Sequence, residues 1–327
     1  MKPSRLSLSH LVAAIVCSSS LMGGAAHAGE STRPVRLVLP FPPGGGSDTL
    51  ARILAPRLSE ATARQWIVDN RAGASGNIAA EIVAKAPPDG RTVLLTLNSV
   101  LTMNPALYPD LRLNPMTDLQ PVTQLSLGQF IVALNPAVPA SNVKELLDHA
   151  RSKPGALRYA SCGNGCATHL AGELLKSIAK IDLTHVPYKG AGPSVLATIS
   201  GEVHLVFSSV AGSMPHVRSG RLKAIAVSGL KRSAVAPDLP TLHEAGVTGF
   251  NMISWHALLV PARTPAAVVD SLDQIVRSAA QIPAVSEAMG REGMEPTTRG
   301  PADLAALIKS ETAMWRGVIK AAGIRGE

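Results

Sequence analysis

Pro40-Phe41-Pro42-Pro43-Gly44-Gly45-Gly46-Ser47-Asp48-Thr49-Leu50-Ala51-Arg52 joins a buried strand to a helix through a loop almost bare of side chains. The apolar run Val35 to Leu39 leads into it, and Leu50, Ile53, Leu54 and Leu58 leave it at helical spacing. Three consecutive glycines let backbone N–H groups approach a ligand with no Cβ in the way, and Ser47 or Asp48 is suited to cap the helix that follows. A helix start of this kind favours anions. The plainer alternative is a flexible glycine turn. No Lys-Ser/Thr follows the glycines, which excludes a Walker A loop.

Upstream, Lys2 and Arg5 precede the apolar run Leu11 to Val16 and a series of small residues ending in Ala26-His27-Ala28. That order predicts a secretory signal over residues 1–28, cut after Ala28, and hence an exported, periplasmic chain. Neither this run nor any later stretch is long and uninterrupted enough to span a membrane. Cys17 is preceded by Ile15-Val16 rather than by the small residue a lipoprotein needs. Removing the signal leaves 29 basic against 23 acidic residues, a mild positive balance that favours anionic ligands only weakly. Aromatics make up 3% of the chain and no Lys/Arg run occurs, which argues against a nucleic-acid reader. The 299 residues left exceed the usual single core, so two lobes are expected.

Downstream, Gln65 to Val68 reads as a strand, and a second glycine-bearing loop runs from Asn70 to Asn77. Ile78 to Ala86 reads as a helix stopped by Pro87-Pro88-Asp89-Gly90, and Thr92 to Leu97 as a buried strand delivering Asn98 and Ser99 at its end. Strands alternating with helices define an α/β chain with mainly parallel sheets flanked by helices, whose ligands sit at the carboxyl ends of strands. Asn104 to Pro121 reads as a proline-containing connection, Phe130 to Leu134 as a strand, and Asn142 with Glu145 as a capping pair. Ser161-Cys162-Gly163-Asn164-Gly165-Cys166-Ala167-Thr168-His169-Leu170-Ala171 then echoes the opening motif: aligning Asp48 with Thr168 also matches Leu50 with Leu170, Ala51 with Ala171 and Leu54 with Leu174. Tyr188-Lys189 and Ser208 fall at the ends of later strands. Phe250 to Val260 reads as a return strand, Thr264-Pro265 as a helix cap with its first-turn proline, and Pro301 to Ala322 as a last helix closed by Gly323. The chain thus leaves lobe one (29–128 plus 253–327) near residue 128, builds lobe two (129–252) and returns near 253, two crossover strands forming a hinge.

PVRLVLPFPPGGGSDTLAR, RAGASGN, HVPYKGAGPSVLATISGEV and LPTLHEAG, followed by a Trp-bearing strand before PARTP, together reproduce a family pattern. The chain resembles the Bug family, the extracytoplasmic solute receptors of tripartite tricarboxylate transporters, over essentially all of its mature length. The resemblance implies a two-lobed periplasmic binding protein fold (type II-like) with no enzymatic activity and no cofactor. It implies a monomer that closes on a small carboxylate or amino-acid-like ligand and delivers it to the membrane permease subunits. Carried over by position, the ligand loops are Pro43, Gly44, Gly45, Gly46, Ser47 and Asp48 in lobe one and Ser161, Gly163, Gly165, Thr168 and His169 in lobe two. Asn98, Ser99, Tyr188, Lys189 and Ser208 stand nearby. Cys166 occupies a position where the family usually has Ser or Thr, Cys162 one where a small residue is common, His204 replaces a frequent Asp, and His256 a frequent Gly.

Two other readings are weighed against this one. Hydrolase chemistry has only an S-x-x-K match at Ser228 to Lys231, without the companion K-T-G and with no G-x-S-x-G elbow. A metal-binding or sensory receptor would use Cys162, Cys166 and His169, soft ligands spaced four and three residues apart, but no fourth ligand is evident. An exported pair of cysteines is more simply a disulfide, and His169 is equally a satisfied core or cap histidine.

Overall fold

The computed structural model describes residues 33–44 and 46–326. The expected signal with its cut after Ala28, and Gly45, lie outside them. Strand β1 (Val35–Leu39) pairs in parallel with β2 (Trp66–Asn70) and β3 (Thr92–Leu97). Helices α1 (Gly46–Thr62) and α2 (Asn77–Ala84) make the crossovers. Alternation along each strand feeds two cores. Leu37, Leu39, Val93 and Leu95 join Leu50, Leu54 and Leu58 of α1 on one face, while Val38 and Leu94 join Ala80 and Val83 of α2 on the other. Burial on both faces is why these strands read as continuous apolar runs.

A second parallel trio places β5 (Arg158–Ser161) between β6 (Thr184–Pro187) and β7 (Leu205–Ser209). Helices α5 (Val143–Ser152), α6 (Ala167–Ala179), α7 (Ala191–Ser200) and α8 (Val210–Arg218) accompany it. Tyr159, Leu205 and Phe207 enter one core and Ala160 and Val206 the other. The cap expected for α5 is present: Glu145 N–H donates to Asn142 Oδ1 at 3.0 Å, and Glu145 Oε2 accepts from Ser141 N–H at 2.7 Å.

Two long strands join the trios. β4 (Leu119–Leu134) and β9 (Ile253–Pro261) pair antiparallel, β9 also lies against β3, and β4 continues to pair with β7. The order across the sheet is β2-β1-β3-β9-β4-β7-β5-β6, with β8 (Lys223–Val227) and β10 (Met294–Arg299) each adding to β4. The fold is two-lobed α/β with a pair of crossover strands, as the sequence implies. One partner switch marks the crossing: β4 pairs with β9 and β10 through Gln129, and with β7 and β8 from Phe130 onward.

Two local readings change. The stretch 104–121 is not a bare connection. Following a π-helical turn (Ser99–Met103), it holds α3 (Asn104–Leu107), α4 (Pro115–Asp118) and the first residues of β4. Pro115 opens α4 behind the Asn114 cap, and Pro121 sits in β4 at a register shift, where a strand tolerates a missing N–H. Thr264 does not cap α9 (Ala266–Ala280): its hydroxyl donates to the Pro261 carbonyl at 2.8 Å, and Pro265 is itself the cap residue. Finally α10 (Pro283–Arg291) leads to β10, and α11 (Pro301–Ala322) spans both halves. Its Leu304 and Ile308 belong to the α2-side core, and its Trp315 and Ile319 to the core around Tyr159.

Candidate functional site

The first glycine loop is organised by Asp48. Gly44 takes a positive φ of 88° that a side chain would resist, and its N–H donates to Asp48 Oδ2 at 3.0 Å. Arg52 Nε donates to the same oxygen at 2.9 Å, and this bond holds the Asp48 carboxyl below its ordinary value. Asp48 is therefore buried as a charged brace, reaching back over its own loop and occupying an N–H expected to face a ligand. Ser47, one residue earlier, turns inward and is buried.

Ser47 meets a residue not counted among the candidates above. His256 of β9 places Nε2 3.1 Å from Ser47 Oγ and Nδ1 2.8 Å from Ser126 Oγ of β4. Burial pushes its pKa down to about 4, so the ring is neutral. A neutral imidazole carries one N–H, hence it donates to one serine and accepts from the other. Ser47 and His256 line a cavity of about 590 Å³ between the two halves. Across it stand Ala191, the first residue of α7, and Ser209 and Gly212 at the start of α8, where Ser209 Oγ caps Gly212 N–H at 3.2 Å. Three helix N-termini, those of α1, α7 and α8, thus open onto one cavity, and each brings partial positive charge.

The second glycine loop is closed on itself. Cys162 and Cys166 are joined by a disulfide. Cys162 N–H donates to Thr168 Oγ1 at 3.0 Å, Gly163 N–H to Ser161 Oγ at 3.2 Å and Gly165 N–H to His169 Nδ1 at 2.9 Å. Thr168 therefore does in this loop what Asp48 does in the first, reaching back from the opening helical turn to a loop N–H, as the sequence echo suggests. His169 lies flat on His185, ring centroids 3.7 Å apart, and His185 Nε2 meets Ser161 Oγ at 2.6 Å. Burial lowers the pKa of both rings, that of His185 to about 4. The loop leans on α3, where a Cβ at Gly165 would stand 3.3 Å from Leu107 Cδ1. Among the described residues no group of three His, Cys, Asp or Glu is placed to hold a metal ion.

The remaining candidates are dispersed. Asn98 Nδ2 donates to the Ile253 carbonyl at 2.9 Å and approaches Glu311, which directs it behind β9 rather than into the cavity. Ser99 is half-buried at the head of the π-helical turn, and Pro43, Gly44, Gly46 and Lys189 are exposed. Tyr188 donates to Glu202 Oε1 at 2.8 Å, and burial with that contact pushes its pKa up to about 12. Ser208 is buried within the β4 pairing. Of the sixteen ligand candidates, Gly46 and Ser47 line the cavity directly. Sequence reasoning registered His256 only as a departure from a family pattern. It had no signal at all for Gly293 and Met294, which reach the wall because β10 pairs with β4 across a long chain separation.

A two-lobed sheet hinged by paired strands, with a cavity between the halves onto which helix N-termini open, defines a solute-binding protein of the periplasmic type. The chain belongs to the tripartite tricarboxylate transporter receptor family, TctC, whose pattern matches residues 50–324. It is 31% identical over 324 residues to the protein BugT of Bordetella pertussis, covering 98% of this chain and 99% of that one. The adipate-bound structure of Rpa4515 from R. palustris is 36% identical, with a TM-score of 0.79 over 90% of this chain and 98% of that chain. Malate-bound MatC from Rhodopseudomonas palustris is 30% identical, with a TM-score of 0.76 over 88% and 99%. Among the described residues no helix is long and apolar enough to cross a membrane.

Proposed function

We propose that the chain is a non-enzymatic receptor that takes a small dicarboxylate into the cavity between its lobes and delivers it to a membrane permease. It would do so as an exported monomer cut after Ala28. The observation that carries this reading is the convergence of three helix N-termini on one cavity beside a neutral, buried His256. A carboxylate is the ligand such a wall favours, because backbone donors and helix ends stabilise negative charge without needing a cation. One carboxylate would sit at Gly46 and Ser47, the other near Ser209 and Gly212. In this reading the exposed Lys189 would supply a counter-charge, and the loop from Ser161 to His169, with Thr168 and Tyr188, would form a stiff margin on closure. The partner switch of β4 after Gln129 supports a division into lobe one (29–128 with 253–327) and lobe two (129–252).

The test is calorimetric titration of the purified protein with adipate, malate and their monocarboxylate counterparts. Saturable binding of a dicarboxylate, abolished by Ala191→Trp at the mouth of the cavity, is expected. Absence of binding by every dicarboxylate tried overturns the reading.

A further inference from the structure

The return strand presents two different faces. Ser254 and His256 look into the cavity between the lobes, while Ile253 and Trp255 look the opposite way, onto a second cavity of about 360 Å³ enclosed by β4, β9, β10 and α11. That volume lies at the lower end of the roughly 300–1,000 Å³ usual for small-molecule sites.

The walls of this rear cavity carry buried polar atoms that nothing else in the described residues satisfies. Gln124 is 1% exposed, and neither its Oε1 nor its Nε2 has a hydrogen-bond partner. Trp315 Nε1 and Asn251 Oδ1 are buried and unpartnered as well. Polar groups taken from water and left unpaired are costly, so several of them around one cavity point to an occupant that pairs them. The charges are specific too. Glu311 accepts from Trp255 Nε1 at 2.8 Å, and burial pushes its carboxyl up. Arg299, on the same wall, makes no side-chain hydrogen bond or ion pair among the described residues, and its charge acts on the Glu311 carboxyl only from a distance.

We propose that this rear cavity is a second small-molecule site that takes a zwitterion of the α-amino-acid type. Its ammonium group would lie on Glu311 and its carboxylate on Arg299, with Gln124, Asn251 and Trp315 completing the donor and acceptor set. A plain carboxylate would face Glu311 unfavourably and a plain amine would face Arg299; a zwitterion meets both. The site lies behind β9 and does not depend on the reading of the cavity between the lobes.

Trp255 and Trp315 both line the rear cavity, while Trp66 lies in β2, so tryptophan emission in a Trp66→Phe background reports on it. The mature chain is titrated with glycine, L-serine and L-glutamine, with calorimetry in parallel. A saturable emission change and matching heat are expected with one or more of these. Arg299→Met and Glu311→Gln should each weaken the affinity about tenfold or more. Ser310→Trp, on the exposed rim, should abolish the response, and Ala191→Trp, which blocks the other cavity, should leave it intact. The proposal is overturned if none of the three amino acids gives a saturable signal, as ordered water alone would predict, or if Ala191→Trp removes the signal and Ser310→Trp does not. Malate titration of the same proteins reads the cavity between the lobes separately.

Discussion

His256 Nε2 stands 3.1 Å from Ser47 Oγ, so a single imidazole ties the start of the first helix to the return strand, and through Ser126 to the outgoing one. The histidine lies in the floor of the cavity and is neutral there because burial lowers its pKa from 6.5 to about 4. In the unfolded chain it titrates at its ordinary value. As the pH falls through 6.5 the unfolded state gains the proton first, and stability is lost until the pH reaches about 4, where the loss levels off. The maximum contribution is about 3 kcal/mol. His185, His169 and His204 are shifted the same way and add to the slope. Urea unfolding across this range should therefore show a shallower pH dependence for His256→Gln than for the native chain. An unchanged slope would mean the ring titrates like a surface histidine.

Asp48 braces the first loop from within. Asp48→Ala should release Gly44 N–H and Arg52 together, costing about 0.5–2 kcal/mol in stability by the measure of helix-start caps. Because Ser47 would lose its fixed position, dicarboxylate affinity should fall as well, whereas Arg52→Ala, which removes only the exposed partner, should change affinity little. Isothermal titration of the two variants separates the effects. Equal losses would place the determinant in the ion pair rather than in the loop.

The bridge between Cys162 and Cys166 is testable without a ligand. The mature chain, denatured without reductant, should show no free thiol, and two after reduction. The closed loop is short, so reduction should lower stability by about 2 kcal/mol at most. Free thiols in the unreduced chain would return the loop to the metal-binding reading.

Gly172 shows how closely α6 lies on its strand. A Cβ there would overlap the ring of Tyr159, which is fully buried and donates its hydroxyl to Glu173 Oε1 at 2.7 Å. Replacing glycine by alanine inside a helix ordinarily stabilises by about 1 kcal/mol. Here Gly172→Ala should instead destabilise by about 1–3 kcal/mol through overpacking, and chemical denaturation gives the sign directly.

What the sequence revealed and what it hid divide along physical lines. Local chemistry was legible: the Asn142–Glu145 cap, the αL glycine closing α11 and the repeated glycine loops are written within a few residues of themselves. The early part of β4 was not, because Pro115 and Pro121 look like breakers until an asparagine cap and a register shift accommodate them. Loop glycines advertised open backbone donors. Yet Asp48, Thr168, Ser161 and His169 turn back onto those donors, an arrangement fixed by side-chain direction rather than by spacing. The floor of the cavity was hidden for another reason. Ser47, Ser126 and His256 are far apart in the chain and meet only after β1, β3, β9 and β4 have paired side by side.

The sixteen residues from Leu119 to Leu134 form one strand shared by both halves of the molecule. Free joints swing without resistance, but a hydrogen-bonded ladder behaves like a leaf spring: bending it at Gln129 and Phe130 strains the pairs on either side. Neither half can unravel without stripping the edge from the other. Heating should accordingly produce one calorimetric transition, with calorimetric and van't Hoff enthalpies in agreement, although the chain has the length of two domains. Under the proposed closure around a solute the same ladder would bend further, and its recoil would favour release.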